Sequence, residues 1–285
     1  MKFLSYRAAG GVGVALDVQG EYLGLAEGDA AFPGAIDRLL RGGEAALRDA
    51  GEVLRKQGAR IDPSAVEWLL PFNPGRIFCI GLNYADHARE TGQAIPEQPT
   101  IFSRFGSSIV GPEAPIILPR VSSHLDFEAE LAVVIGKPGR HIAIGDALDH
   151  VAGYSCFNDG SIRDYQLRTP QWTIGKNFDR SGSLGPALVT ADALPVGASG
   201  LAIRTRLNGE EVQSSSTAEL IFGVPRLIAT LSEAVELQPG DVIATGTPSG
   251  VGLARKPPLW MKDGDVCEVE IEAIGTLRNV IRAEA

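Results

Sequence analysis

Cysteine is scarce: Cys79, Cys156 and Cys267 are the only three in 285 residues. Their number is odd and each sits in an apolar, strand-like run. That excludes a disulfide framework or a cysteine-built zinc site and predicts buried, reduced thiols in a cytoplasmic protein. Blocks of Lys or Arg are missing as well, and the net charge is −9, so neither nucleic acid nor an anionic membrane surface is expected as a partner. The apolar stretch near the N-terminus is broken by Gly10, Gly11, Gly13 and Asp17, and it reads as neither a secretory leader nor a membrane span. Tandem repeats and low-complexity tracts are absent. Gly11-Val-Gly13 lacks the third glycine and the following helix of a dinucleotide fingerprint. The run Gly246–Gly252 lacks a Gly-Lys-Ser/Thr ending and is no phosphate loop. No Gly-x-Ser-x-Gly elbow announces a serine hydrolase.

What is present is an ordinary globular composition with 44% hydrophobic residues, 34 Gly and 18 Pro. Glycine and proline spread over turn positions favour many short strands over a helical bundle. Residues 1–70 read as a small leading module, with a hairpin (12–18 and 22–25) and a helical stretch over 35–57 that Gly42 and Gly43 can split. Pro71–Gly75 reads as a hinge, leaving 71–285 as the catalytic region. A strand follows at 76–81, then about two helical turns at 84–91. Asn208-Gly209 predicts a hairpin with a primed turn, and a helix is expected over 219–237.

The most informative run is Asp126-Phe127-Glu128-Ala129-Glu130, followed by Leu-Ala-Val-Val-Ile. The apolar, β-branched tail reads as a strand, on which residues two apart share a face. Glu128 and Glu130 therefore point the same way. Like charges so placed call for something positive between them, and a hard divalent cation answers that need. Other segments also concentrate polar groups at the ends of apolar runs. Asp159 closes 150–156, Arg163 and Gln166 follow it, and Lys176 ends a short apolar stretch. His87 and Glu90 stand three apart in the expected helix, where their side chains can meet.

Together these segments resemble the fumarylacetoacetate hydrolase family. The matching runs are Ile80-Gly-Leu-Asn-Tyr-Ala-Asp-His-Ala-Arg-Glu90, Asp126 through Lys137, Gly153 through Asp159 with Arg163-Asp164, Gly175-Lys-Asn-Phe-Asp179, and Ala244-Thr-Gly-Thr-Pro-Ser-Gly-Val-Gly252. They cover essentially all of 75–280 in the family's order. The resemblance implies an α+β, mostly β fold, a mixed β-sheet roll around a metal site, behind a small N-terminal α+β module. It also implies a homodimer and a divalent cation, Mg²⁺ or Mn²⁺ (Ca²⁺ in crystals), held by Glu128, Glu130 and Asp159. By the same resemblance His87 and Glu90 activate water, Lys176 is catalytic, and Arg163, Gln166, Gly246 and Thr247 hold the substrate. Leu82 stands where some acylpyruvate hydrolases of the family carry arginine.

The donor chemistry agrees: an all-oxygen set suits Mg²⁺, Mn²⁺ or Ca²⁺ and argues against zinc or copper. The first functional expectation is a metal-dependent hydrolase that cleaves a C–C bond in a 2,4-dioxo acid, either an acylpyruvate such as fumarylpyruvate or a 2,4-diketo-3-deoxy sugar acid. A second is an isomerase, decarboxylase or hydratase of 2-oxo acids in aromatic catabolism. A third is a non-catalytic metal-binding protein. Segment 84–97, polar and short of apolar anchors, is expected to act as a lid.

Overall fold

A computed structural model describes residues 1–92 and 94–285. The run after the acids forms the strand Ala129–Ile135, and all seven of its residues are buried. Leu131, Val133 and Ile135 pack into one apolar cluster with Ile203, Val269, Ile271 and the helix residues Leu227, Ile228 and Leu231. Ala132 and Val134 pack into another with Phe3, Leu16, Leu40, Leu54 and Cys79. The period-two projection of a strand thus puts alternate side chains into two separate cores.

This strand lies inside a twelve-stranded mixed sheet among the described residues. On one side it pairs antiparallel with Val151–Asn158, and on the other with Val242–Ala244. The sheet runs on through Gly182–Thr190 to Lys2–Ala8, Gly11–Val18 and Glu21–Ala26. In the other direction it continues in parallel register to Ile77–Gly81 and ends at Thr100–Arg104. A five-stranded sheet, Glu210–Ser216, Ala202–Leu207, Val266–Ile271, Gly275–Ala283 and Ile116–Leu118, covers one face. Helices Ile36–Arg41 and Gly43–Gln57 cover part of the other. The architecture is therefore mostly β with a few helices, as the family resemblance implies.

Local expectations hold with small shifts. The helical stretch over 35–57 is broken at Gly42–Gly43, where Gly43 has φ +75°. Asn208 and Gly209 both have positive φ, as a primed two-residue turn requires. The helix expected over 219–237 is shorter, Val224–Ala234, with Pro225 in its first turn. Proline is at home there and cannot sit deeper in a helix. No helix among the described residues is long and apolar enough to cross a membrane.

Candidate active site

The register of two central strands assembles the acids. Ala129 lies opposite Asn158, so Glu128, just before one strand, meets Asp159, just after the other. The Asp159 N–H donates to Glu128 O at 3.0 Å, and Asn158 Oδ1 accepts the Glu128 N–H at 3.1 Å. Glu130 projects from the same face as Glu128. One carboxylate oxygen from each of Glu128, Glu130 and Asp159 lies within 4.8 Å of the others, and all three residues are buried.

Three buried cations answer these charges. Lys176 Nζ donates to Glu128 at 2.7 Å and to Asp159 at 2.6 Å. Arg163 Nη2 lies 2.6 Å from Glu128, its Nε donates to Asp126 at 2.8 Å, and its Nη1 donates to Gln166 at 2.9 Å. Arg104 Nη1 donates to Asp159 at 2.6 Å and to Gly160 O at 2.9 Å. In this cluster the buried carboxylates are four, counting Asp126, and the cations three. The unmatched acid is Glu130, whose oxygen accepts, among the described residues, only the Gly246 N–H, at 2.9 Å.

The proton affinities follow this imbalance. Burial alone would raise the Glu128 carboxyl, but Arg163 and Lys176 together override it and hold it at about 2. Burial raises Glu130 well above the carboxylate range, and the charges of Asp159 and Glu128 push the same way. Burial would lower Lys176, but Asp159 and Glu128 raise it, so it remains an ammonium ion. An all-oxygen set holding a carboxylate that no side chain neutralises fits a hard divalent cation.

A cavity of about 200 Å³ opens over the acids and is lined by Glu128, Glu130, Lys176, Arg163, Gln166, Thr247 and His87. Its apolar lining includes Phe102, Trp172 and Leu82. His87 Nδ1 stands 2.9 Å from Glu90, and both Glu90 oxygens accept the Gly250 N–H, at 3.1 and 2.9 Å. Glu90, Asp159 and Gly246 stand behind this lining, each touching a residue that forms it. Of the expected lid, Gln93 lies outside the described residues. The helix Ala85–Glu90 docks on the 249–250 turn through Glu90 and through Asp86, which accepts Ser249 Oγ at 2.8 Å. A larger cavity of about 980 Å³, beside the start of Gly43–Gln57, contains none of these groups.

Sequence reasoning passed over Arg104, Gln213 and the part played by Asp126. Arg104 is separated by 55 residues from the aspartate it holds, and nothing in its local run announces that contact. Gln213 accepts the Ala129 N–H at 3.0 Å and donates to Thr247 at 2.9 Å, joining the acid-bearing strand to the 246–252 turn. Asp126 accepts from Arg163 and from the N–H groups of Gly252 and Leu253. It stood inside the recognised motif, and its position beside the paired glutamates was the available signal.

Comparison with known proteins turns this geometry into an identity. Residues 76–282 match the family model described as fumarylacetoacetate (FAA) hydrolase, C-terminal. The chain belongs to the fumarylacetoacetate hydrolase family. It is 45% identical over 272 residues to a mitochondrial oxaloacetate tautomerase of Rattus norvegicus, covering 95% of this chain and 87% of that one. A mitochondrial oxaloacetate tautomerase of Homo sapiens is 43% identical over 288 residues, covering 99% and 91%. Among solved structures, a fumarylacetoacetate hydrolase of Exiguobacterium antarcticum aligns over the full length of both chains with TM-score 0.87 and 36% identity. The family member described here is thus an enzyme whose relatives include tautomerases as well as hydrolases. The cytoplasmic expectation is corrected, because these rat and human relatives are mitochondrial by name. Buried thiols mark a reducing environment, and that property does not single out the cytoplasm.

Two outcomes test the charge arrangement. A carboxyl whose folded pKa is raised stabilises the fold below its ordinary pKa, and that contribution is lost as pH rises through the raised value. Metal-free protein is therefore expected to lose stability, relative to Glu130→Gln, as pH climbs from the ordinary carboxylate range towards neutrality. Mg²⁺ binding at weakly acidic pH is expected to release a proton in wild type and none in the variant. Calorimetry in buffers of different ionisation heat measures this. Arg104→Ala removes one of the two cations that hold Asp159, leaving Lys176 alone, and is expected to cost up to about 3–5 kcal/mol in urea unfolding. The cost should shrink sharply in an Asp159→Asn background.

Proposed function

We propose that this enzyme is a divalent-metal-dependent tautomerase that interconverts the enol and keto forms of oxaloacetate or a similarly short 2-oxo dicarboxylic acid. The observation that carries the reading is the pairing, around one small cavity, of a fixed ammonium ion with the hydrogen-bonded His87–Glu90 pair. Lys176 is held protonated by Asp159 and Glu128, so it can stabilise developing negative charge but cannot take a proton. His87 Nδ1 stands 2.9 Å from the Glu90 carboxylate, and in the tautomer that donates to it the other ring nitrogen is free to take a proton. His87 would remove a proton from C3 of the keto acid while the C2–C3 double bond forms and charge moves to the 2-oxo oxygen, which would then take a proton from solvent to complete the enol. In reverse, the enol O–H would give its proton to solvent and His87 would deliver one to C3. Mg²⁺ or Mn²⁺, held by Glu128, Glu130 and Asp159, would supply Lewis-acid polarisation of the 2-oxo group.

Arg163, Gln166 and Thr247 would orient the carboxylates. The cavity's volume of about 200 Å³ supports a small substrate, since sites for drug-sized ligands span about 300–1,000 Å³. The names of the 43–45% identical relatives support the same reaction. A homodimer remains part of this proposal, on the strength of the family resemblance. C–C hydrolysis stays the competing reading, because the His87–Glu90 pair could equally take a proton from water.

The two reactions separate cleanly in the products. Purified protein with Mg²⁺ is expected to speed the loss of enol absorbance from oxaloacetate without releasing pyruvate. Pyruvate release from acylpyruvates, with tautomerisation left at its background rate, would sink the proposal in favour of hydrolysis. His87→Ala and Glu90→Gln are each expected to lower kcat by about 10²–10⁴. Because the two side chains share one task, the double variant should be little worse than either single one.

A further inference from the structure

Leu82 has φ +57°, in the left-handed region that a residue with a Cβ enters only at a conformational cost. The backbone on either side holds it there. A Cβ at Gly81 would stand 2.4 Å from the Trp172 ring. The fully buried Asn83 side chain donates to Thr245 O at 2.8 Å and to Phe222 O at 3.0 Å, and accepts the Phe222 N–H at 2.7 Å. A Cβ at Gly246 would come 2.8 Å from Asn83 Cβ, which closes off relaxation from that direction. Glycine or asparagine would suit this backbone better.

Leucine at this position contributes nothing to the apolar cores. It belongs to none of the three clusters and is only half buried. What its side chain does line is the 200 Å³ cavity over the acids. Strain that serves no packing and projects a side chain into a site points to a role in that site.

We propose that Leu82 is a specificity-determining residue that limits the length of the 2-oxo acid the cavity accepts. The inference rests on the reading of that cavity as a 2-oxo-acid site, and it concerns binding independently of the reaction catalysed. The branched side chain fills the room that extra methylenes of a longer acid would need, while the polar groups around Lys176 and Arg163 hold the common 2-oxo-acid end.

The test is calorimetry on Mg²⁺-saturated protein with oxalate, 2-oxoglutarate and 2-oxoadipate. Wild type is expected to lose affinity as the acid lengthens. Leu82→Ala and Leu82→Gly should bind 2-oxoadipate about 10–200-fold better relative to oxalate, the range over which apolar pockets discriminate methylenes. Leu82→Met conserves volume and should keep the wild-type ranking. Both small variants empty the same space, but only glycine relieves the positive φ. Leu82→Gly should therefore melt about 2–4 °C above Leu82→Ala. An unchanged length ranking in folded Leu82→Ala, with oxalate binding intact, would overturn the role of Leu82 alone. A ranking lost equally in Leu82→Met would do the same. Failure of wild type to bind oxalate at all would overturn the 2-oxo-acid reading and this inference with it.

Discussion

A strand covered on both faces gives its polar residues no route to water, and that constraint organises the whole site. Ala129–Ile135 is buried from end to end, so the acids at its entrance must find their counter-charges inside the protein. Ionised groups placed there without partners would cost several kcal/mol each, about the whole stability of a domain if summed. Lys176, Arg163 and Arg104 arrive from three separate segments to meet Glu128, Asp126 and Asp159. The compensation stops one charge short, at Glu130. Buried ion clusters are weak devices for stability, often no better than apolar residues of equal volume. An unmatched carboxylate in such a cluster either keeps its proton or waits for a further cation, and the raised proton affinity of Glu130 is the mark of that choice.

The 245–253 segment is the joint through which the rest of the site is fixed to these acids. Gly246 binds Glu130, Thr247 is held by Gln213, Gly250 binds Glu90, and Gly252 binds Asp126. The candidate base, the acid cluster and the arginine anchor are thus spaced by a few residues of one chain segment. Its glycines serve close approach: a Cβ at Gly250 would come 2.3 Å from Val212 O, and at Gly252 1.9 Å from Leu259 O. Moving the helix that carries His87 therefore means breaking contacts made by the same segment that positions Glu130.

Much of this was legible in the sequence because it follows from short-range periodicity. The shared face of Glu128 and Glu130 comes from the two-residue repeat of a strand, and the His87–Glu90 contact from the three-residue spacing of a helix. Asn208-Gly209 announced its hairpin by the same kind of local rule. Asp159 was reachable only through family resemblance, since nothing local says which strand end it faces. Arg104 and Gln213 were not reachable at all. Their partners lie 55 and 84 residues away, and pairing over such distances is set by sheet register, which no local pattern encodes. Localisation failed for a different reason: cysteine usage reports redox environment, and more than one compartment shares that environment.

The same charge count reconciles an apolar lining with the proposed anionic substrate. Four carboxylates against three cations leave the floor of the cavity neutral while Glu130 keeps its proton, and one charge negative when all four are ionised. A divalent ion among the acids would reverse that to one charge positive, enough to favour a carboxylate-bearing ligand without further basic residues in the walls. The walls are then free to be apolar, and Phe102, Trp172 and Leu82 are. Apolar walls keep water away from the polar floor and lower the local dielectric, which strengthens each remaining electrostatic contact. Enolisation profits from this more than most reactions, because its barrier lies in charge that develops on a single oxygen.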